Sequence, residues 1–138
     1  EISDEPIMSL GTWLHLDRLD ITLVEDKRPV LLGKLPVLHG HELPHGMAAP
    51  VNIARGVFLR TLSTALVGHS HRTSNHAESD MWHRETACWS TGCLCDLTPD
   101  YARVNRWNWG FAIATVHKGG AFDVENFRIM SDGSVRTS

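Results

Sequence analysis

The sequence predicts an α+β fold in one domain, a strand-helix-strand unit followed by an antiparallel β-meander, and three observations carry that prediction. Two short apolar runs, Leu35 to Leu38 and Ala65 to Val67, bracket a stretch of helical periodicity over residues 51–62. Beyond His71 the chain breaks into short strand-forming runs separated by turn signals. The length, 138 residues, suits one compact core and is short for two.

Residues 1–8 are acidic and contain Pro6, after which Leu10, Trp13, Leu14 and Leu16 recur at near-helical spacing and predict a short amphipathic helix. Residues 21–25 are rich in β-formers, and Asp26-Lys27-Arg28-Pro29 reads as a turn. Val30-Leu31-Leu32 and Leu35-Pro36-Val37-Leu38 predict two short strands about Gly33-Lys34, the second running straight into His39. Residues 40–50, dense in Gly, Pro and His, have loop chemistry. Over residues 51–62, Ile53, Val57, Phe58 and Leu62 share one helical face. Ala65-Leu66-Val67 is a buried strand ending at Gly68-His69. Further strands are expected at 85–89, 93–97, 110–117, 121–129 and 134–136, with Lys118-Gly119-Gly120 and Ser131-Asp132-Gly133 as hairpin turns.

Composition narrows the function classes. Hydrophobic residues are 42% and charged residues 21%, and no apolar run approaches the ~20 residues that span a bilayer, so a soluble protein without a membrane partner is expected. A formal charge of -3 argues against a surface that binds nucleic acid mainly by neutralising phosphates, while a local basic groove remains compatible with it. The three cysteines are an odd number, and Cys93 and Cys95 are too close for an ordinary disulfide framework; reduced thiols and a cytoplasmic location are expected. The sequence opens on Glu1 with no leader pattern, as a processed chain, a trimmed one or a piece of a longer polypeptide would.

Nine histidines stand out less by number than by placement. His39 and His69 follow apolar strands at the edge where ligands collect in sheets of this kind. In His69-Ser70-His71 the spacing of two would put both imidazoles on one side of an extended segment, and Gly68 lets the backbone approach a bound group. Three neutral imidazoles with an open position suit a hydrolytic metal. A single His-x-His is a weak signal, since histidine is also a common surface residue; two strand-end sites with a helix between them strengthen it. His41, two residues after His39, is a candidate contact for substrate, as is Arg72 through bidentate bonds to phosphate. His45 and His76 read as polar loop residues. Cys93-Leu94-Cys95 has soft-metal chemistry but reads better as buried strand cysteines. Trp82, Trp89, Trp107 and Trp109 read as packing residues rather than a base-stacking surface.

The order Val37-Leu38-His39-Gly40-His41, a helix, then Leu66-Val67-Gly68-His69-Ser70-His71-Arg72 resembles the last two motifs of the calcineurin-like metallophosphoesterases, especially their bacterial and phage branch. Thr91-Gly92-Cys93-Leu94-Cys95-Asp96-Leu97 with Tyr101, Trp107 and Gly110-Phe111 resembles the phage-type continuation. The resemblance implies the C-terminal half of an αββα sandwich and a binuclear centre of divalent Mn, Zn, Fe or Ni, in which a metal-bridging hydroxide attacks phosphorus. It implies that His39 and His69 serve one metal and His71 the other, and that the substrate is a phosphate ester, a phosphodiester of nucleotides or nucleic acid. The family's Asp-x-His, Gly-Asp-x-x-Asp and Gly-Asn-His-Glu motifs are absent from the first 38 residues, and with them every carboxylate ligand. Asn75-His76-Ala77-Glu78 lacks the glycine and comes after the strand-end histidines instead of before them. Residues 1–138 are therefore expected to be the C-terminal part of a larger domain, inactive alone and completed by an N-terminal half in the same or a separate chain, in the host cytoplasm if phage-encoded. Two other readings stand beside it: a noncatalytic binding or assembly domain that keeps the fold, and a mononuclear tri-histidine hydrolase.

Overall fold

The computed structural model describes residues 10–24, 27–43 and 51–138. Strands β1 (Val30–Leu32) and β2 (Leu35–Leu38) form an antiparallel hairpin about Gly33, whose φ is 61°. A Cβ at Gly33 would run into the Val116 side chain and the Gly120 backbone, so the turn needs glycine for both its dihedral and its space. From β2 the chain reaches helix α2 (Ile53–Thr61) and returns as β3 (Ala65–Val67), which pairs parallel with β2. The Asn52 side chain caps α2 by accepting the Arg55 N–H at 2.9 Å. Leu62 ends the helix in the left-handed region, φ 49°, with its N–H on the Phe58 carbonyl at 2.7 Å. That cap turns Leu62 outward, 71% exposed, so it leaves the apolar face assigned to it by periodicity. Ile53, Ala54 and Val57 do the burying, against Ala65, Val67 and Cys88.

The mixed sheet runs β1-β2-β3-β5-β4, with β4 (Ser74–Ser79) and β5 (Glu85–Ser90) as an antiparallel hairpin whose β5 strand lies parallel to β3. The segment beyond His71 is thus not one meander. Its first hairpin joins the mixed sheet, and β6 (Gly110–Val116), β7 (Phe122–Ile129) and β8 (Val135–Thr137) form a separate three-stranded antiparallel sheet. Strand β4 carries no apolar alternation that would announce it; its ladder with β5 makes it a strand, which places His76 in a sheet instead of a loop. Residues 93–97 form no strand, only one bridge between Cys93 and Trp109. Residues 21–24 also lack a strand, because β propensity without a neighbouring edge to pair with leaves no ladder. The expected N-terminal helix shrinks to one α-turn, α1 (Leu10–Trp13), and a 3₁₀ turn (Leu16–Leu19), interrupted by His15 at φ 51°. The turn at Asp26, the loop residues 44–50 and His45 lie wholly or partly outside the described residues.

Side-chain alternation sorts the two faces of the mixed sheet. Ser74 and His76 face α2: the Ser74 hydroxyl accepts the Ala54 N–H at 2.9 Å, and the His76 ring sits 5.1 Å from Phe58. Asn75 and Trp89 face the other way, toward β7, where Trp89 meets Phe122 at 6.5 Å. Asn126 of β7, 3% exposed, donates to the carbonyls of Ser90 (2.9 Å) and Ser74 (3.3 Å) and to the Asn75 side chain (2.8 Å). The layers are helix, mixed sheet, antiparallel sheet. No helix among the described residues is long and apolar enough to cross a membrane.

Because Asn126→Ala strands acceptors on β4 and β5 of the mixed sheet and removes the tie to β7, it is expected to lower unfolding stability by about 1–3 kcal/mol. The exposed neighbour Glu125→Ala should stay within about 0.5 kcal/mol of the parent in the same urea titration followed by tryptophan fluorescence.

Candidate metal centre

The parallel register aligns the strand ends: Leu38 sits opposite Val67, and Val67 opposite Ser90. His39, Gly68-His69 and Thr91 therefore leave the sheet side by side, at the edge where ligands bind in parallel sheets. The Gly68 N–H is shared between the carbonyls of His39 (3.1 Å) and Leu38 (3.4 Å), and the Thr91 N–H donates to Val67 at 2.9 Å. These bonds fix where each loop begins. Next to them opens a cleft of about 650 Å³, bordered by Lys27, Arg28, His39, His41 and Glu42.

Two imidazoles, His39 and His41, border it, and His69 joins them from the adjoining depression. The His39 ring lies 4.6 Å from His69 and 4.8 Å from His41, and His41 lies 6.4 Å from His69. The Nδ1 atoms of His39 and His41 are 2.7 Å apart, a hydrogen bond that requires one of them to donate and the other to be unprotonated. Gly40, at φ 120°, makes the approach: a Cβ there would lie 3.1 Å from the His69 Cβ.

Glu42, which sequence reasoning passed over, clamps this loop. Its two oxygens accept the His39 N–H at 3.0 Å and the Gly40 N–H at 2.5 Å. Burial pushes its carboxyl up, but the N–H groups of Glu42, Gly40 and His39, together with charge on His41, outweigh that and hold it below the usual carboxylate range. A carboxylate three residues after His39 in a Gly-containing turn was the available signal.

The Gly68-His69-Ser70-His71 segment is not extended. The Ser70 N–H closes onto the Gly68 carbonyl at 2.6 Å, and His69 and His71 are both left-handed, φ 55° and 53°. Each such residue costs about 1–3 kcal/mol and persists only where surroundings impose it, which is typical of functional sites. The two rings consequently find different neighbours. His69 joins His39 and His41, whereas His71 packs edge-on to Trp107 at 4.3 Å with its Nδ1 4.0 Å from the Cys95 sulfur.

Cys93 and Cys95 depart from the strand reading as well: Cys93 is buried, Cys95 is exposed, and all three cysteines are free. Burial raises the Cys93 thiol, and the hydrogen bond its S–H donates to the neighbouring Cys95 side chain adds to it. Among the described residues, the donors that converge as a group of three are His71, Cys93 and Cys95, all within 4.8 Å of one another. A binuclear carboxylate-histidine centre does not fit the described residues, since the one carboxylate beside the imidazoles is already bound to backbone N–H groups. Arg72 donates to the Val51 carbonyl at 2.6 Å and borders, with His69 and Arg106, a second depression of about 450 Å³. Trp89 and Trp107 pack against rings, as expected, while Trp82 is 71% exposed.

No protein-family model, curated protein or solved structure matches this chain.

The depressed Glu42 carboxyl contributes stability that is present in full above its unfolded value, 4.5, and is lost as pH falls through the lower folded value. Urea midpoints measured from neutral pH downward should fall in that acid window for the parent and fall less for Glu42→Gln. Gly40→Ala should cost about 1–3 kcal/mol through its glycine-favoured dihedral and shift the His69 ring resonances in NMR spectra.

Proposed function

We propose that this chain supplies the imidazole ligands of a metal-dependent phosphoesterase site, acting on phosphodiesters of nucleotides or nucleic acid. The observation that carries this reading is the convergence of His39, His41 and His69 at the C-terminal edge of the parallel strands, beside a cleft bordered by Lys27 and Arg28. Neutral imidazoles are borderline donors suited to Mn, Zn, Fe or Ni, and flanking cations favour an anionic ester. In this reading His39 and His69 are ligands of one ion, His41 orients His39 through the Nδ1 contact, and Arg72 borders the approach to His69.

The carboxylates that would balance metal charge come from an N-terminal half, in the same or a separate chain. The layer order helix, mixed sheet, antiparallel sheet supports the C-terminal part of an αββα sandwich. Edge strand β1 supports a missing neighbour, because Val30, Leu31 and Leu32 are 40%, 65% and 40% exposed and an uncovered apolar edge invites pairing. A metal bound without reaction chemistry would make the chain a noncatalytic domain that keeps the fold.

The test is hydrolysis of an aryl phosphodiester with added Mn²⁺, by this chain alone and joined by a carboxylate-bearing half. The joined form is expected to be active and the chain alone inactive. His39→Ala or His69→Ala should cost on the order of 100-fold or more, at least the loss typical of outer-shell partners. Full activity in either variant would sink the site assignment, and metal binding without hydrolysis in the joined form would select the noncatalytic reading.

A further inference from the structure

We propose that His71, Cys93 and Cys95 form a metal site separate from the imidazole cluster, taking one thiophilic divalent cation of the zinc class. The inference does not rest on the phosphoesterase reading, and it needs no residue beyond this chain.

The donor atoms are already gathered, all within 4.8 Å, with His71 Nδ1 4.0 Å from Cys95 Sγ. A tetrahedral ion with Zn–S near 2.3 Å and Zn–N near 2.0 Å spaces its ligands about 3.5–3.8 Å apart, so side-chain rotation of roughly 1 Å completes the set. Charge favours the same ion. Two thiolates offset a divalent cation without any carboxylate, which the imidazole cluster cannot do. Binding converts each cysteine S–H into a metal–sulfur bond and releases one proton per thiol to solvent, while His71 binds through a neutral nitrogen. Three protein ligands leave a fourth position, and the exposure of Cys95 opens it to water.

One short segment holds the backbone of all three donors. The Asn108 N–H donates to the His71 carbonyl at 2.9 Å, and the Cys93 N–H donates to the Asn108 carbonyl at 3.0 Å. The Gly110 N–H donates to the Cys93 carbonyl at 3.0 Å, and Trp109 Nε1 to the Cys95 carbonyl at 2.9 Å. The Asn108 side chain ties the same knot to Thr73, accepting its N–H at 2.9 Å and donating to its hydroxyl at 2.7 Å. Gly92 belongs to it too, since a Cβ there would overlap the Asn108 carbonyl and the Gly110 nitrogen. The left-handed backbone at His71 aims the ring toward Cys95, and Trp107 covers that ring. Pre-positioned donors of this kind reduce the ordering that metal binding must impose.

Cobalt(II) replaces zinc in such sites and reports thiolate bonds directly. Titrating the reduced full chain with Co²⁺ should give one equivalent bound and a near-ultraviolet thiolate-to-cobalt charge-transfer band, displaced by Zn²⁺. Cys95→Ser and His71→Ala should each weaken binding about 10-fold or more, with Cys95→Ser also diminishing the band. The exposed Cys95 is the safer variant than buried Cys93, and its far-ultraviolet circular dichroism should match the parent. The double variant His39→Ala/His69→Ala should keep the band, whatever happens to hydrolysis. Absence of the band, or binding lost in the double variant and retained in Cys95→Ser, would overturn the proposal.

Discussion

The parallel pairing of β2, β3 and β5 is the constraint on which the site depends. Parallel strands finish on the same edge, so three segments distant in sequence emerge together as His39, Gly68-His69 and Thr91. The register is set from the core. Ala65 and Val67 sit under α2 with Cys88, and a one-residue slip would turn them to the other face of the sheet. The shared Gly68 N–H then carries that register into the loops, tying the end of β2 to the residue that precedes His69.

Above this edge the backbone divides the histidines. With left-handed residues at 69 and 71 and a tight turn between, neighbouring rings that an extended strand would hold together go to separate companions. One destination is a trio of imidazoles stiffened by the Glu42 clamp. The other is a pair of thiols. Their electrical demands differ: neutral imidazoles leave a bound cation's charge to be offset by something else, whereas two thiolates offset it themselves.

Polar side chains do much of the long-range joining. Asn126 links the antiparallel sheet to β4 and β5, and the Asn108 side chain holds Thr73 after β3 while its backbone carbonyl accepts the Cys93 N–H. Each amide combines donors and an acceptor in a fixed plane, so it can satisfy several backbone groups where strands do not pair. The apolar core itself is small and lies between α2 and the mixed sheet, which makes the buried Asn126 amide a large part of what fixes the two sheets relative to one another.

What the sequence by itself determined was local. The apolar runs and glycine turns marked β1, β2, β3, β5 and the β6-β7-β8 hairpins, the helical period marked α2, and the strand ends marked His39 and His69 as neighbours of an edge. Those signals are short-range, set by side-chain periodicity and by where φ turns positive. Tertiary structure alone decided the rest. It made a strand of polar Ser74–Ser79 because β5 offers it a ladder, turned Leu62 outward through a left-handed cap, and left residues 21–24 unpaired. It also brought Cys95 to His71 across 24 positions and kept His71 away from the imidazoles. No periodicity encodes such pairings, because they follow from two backbone dihedrals and from hydrogen bonds to a segment nearly forty residues downstream.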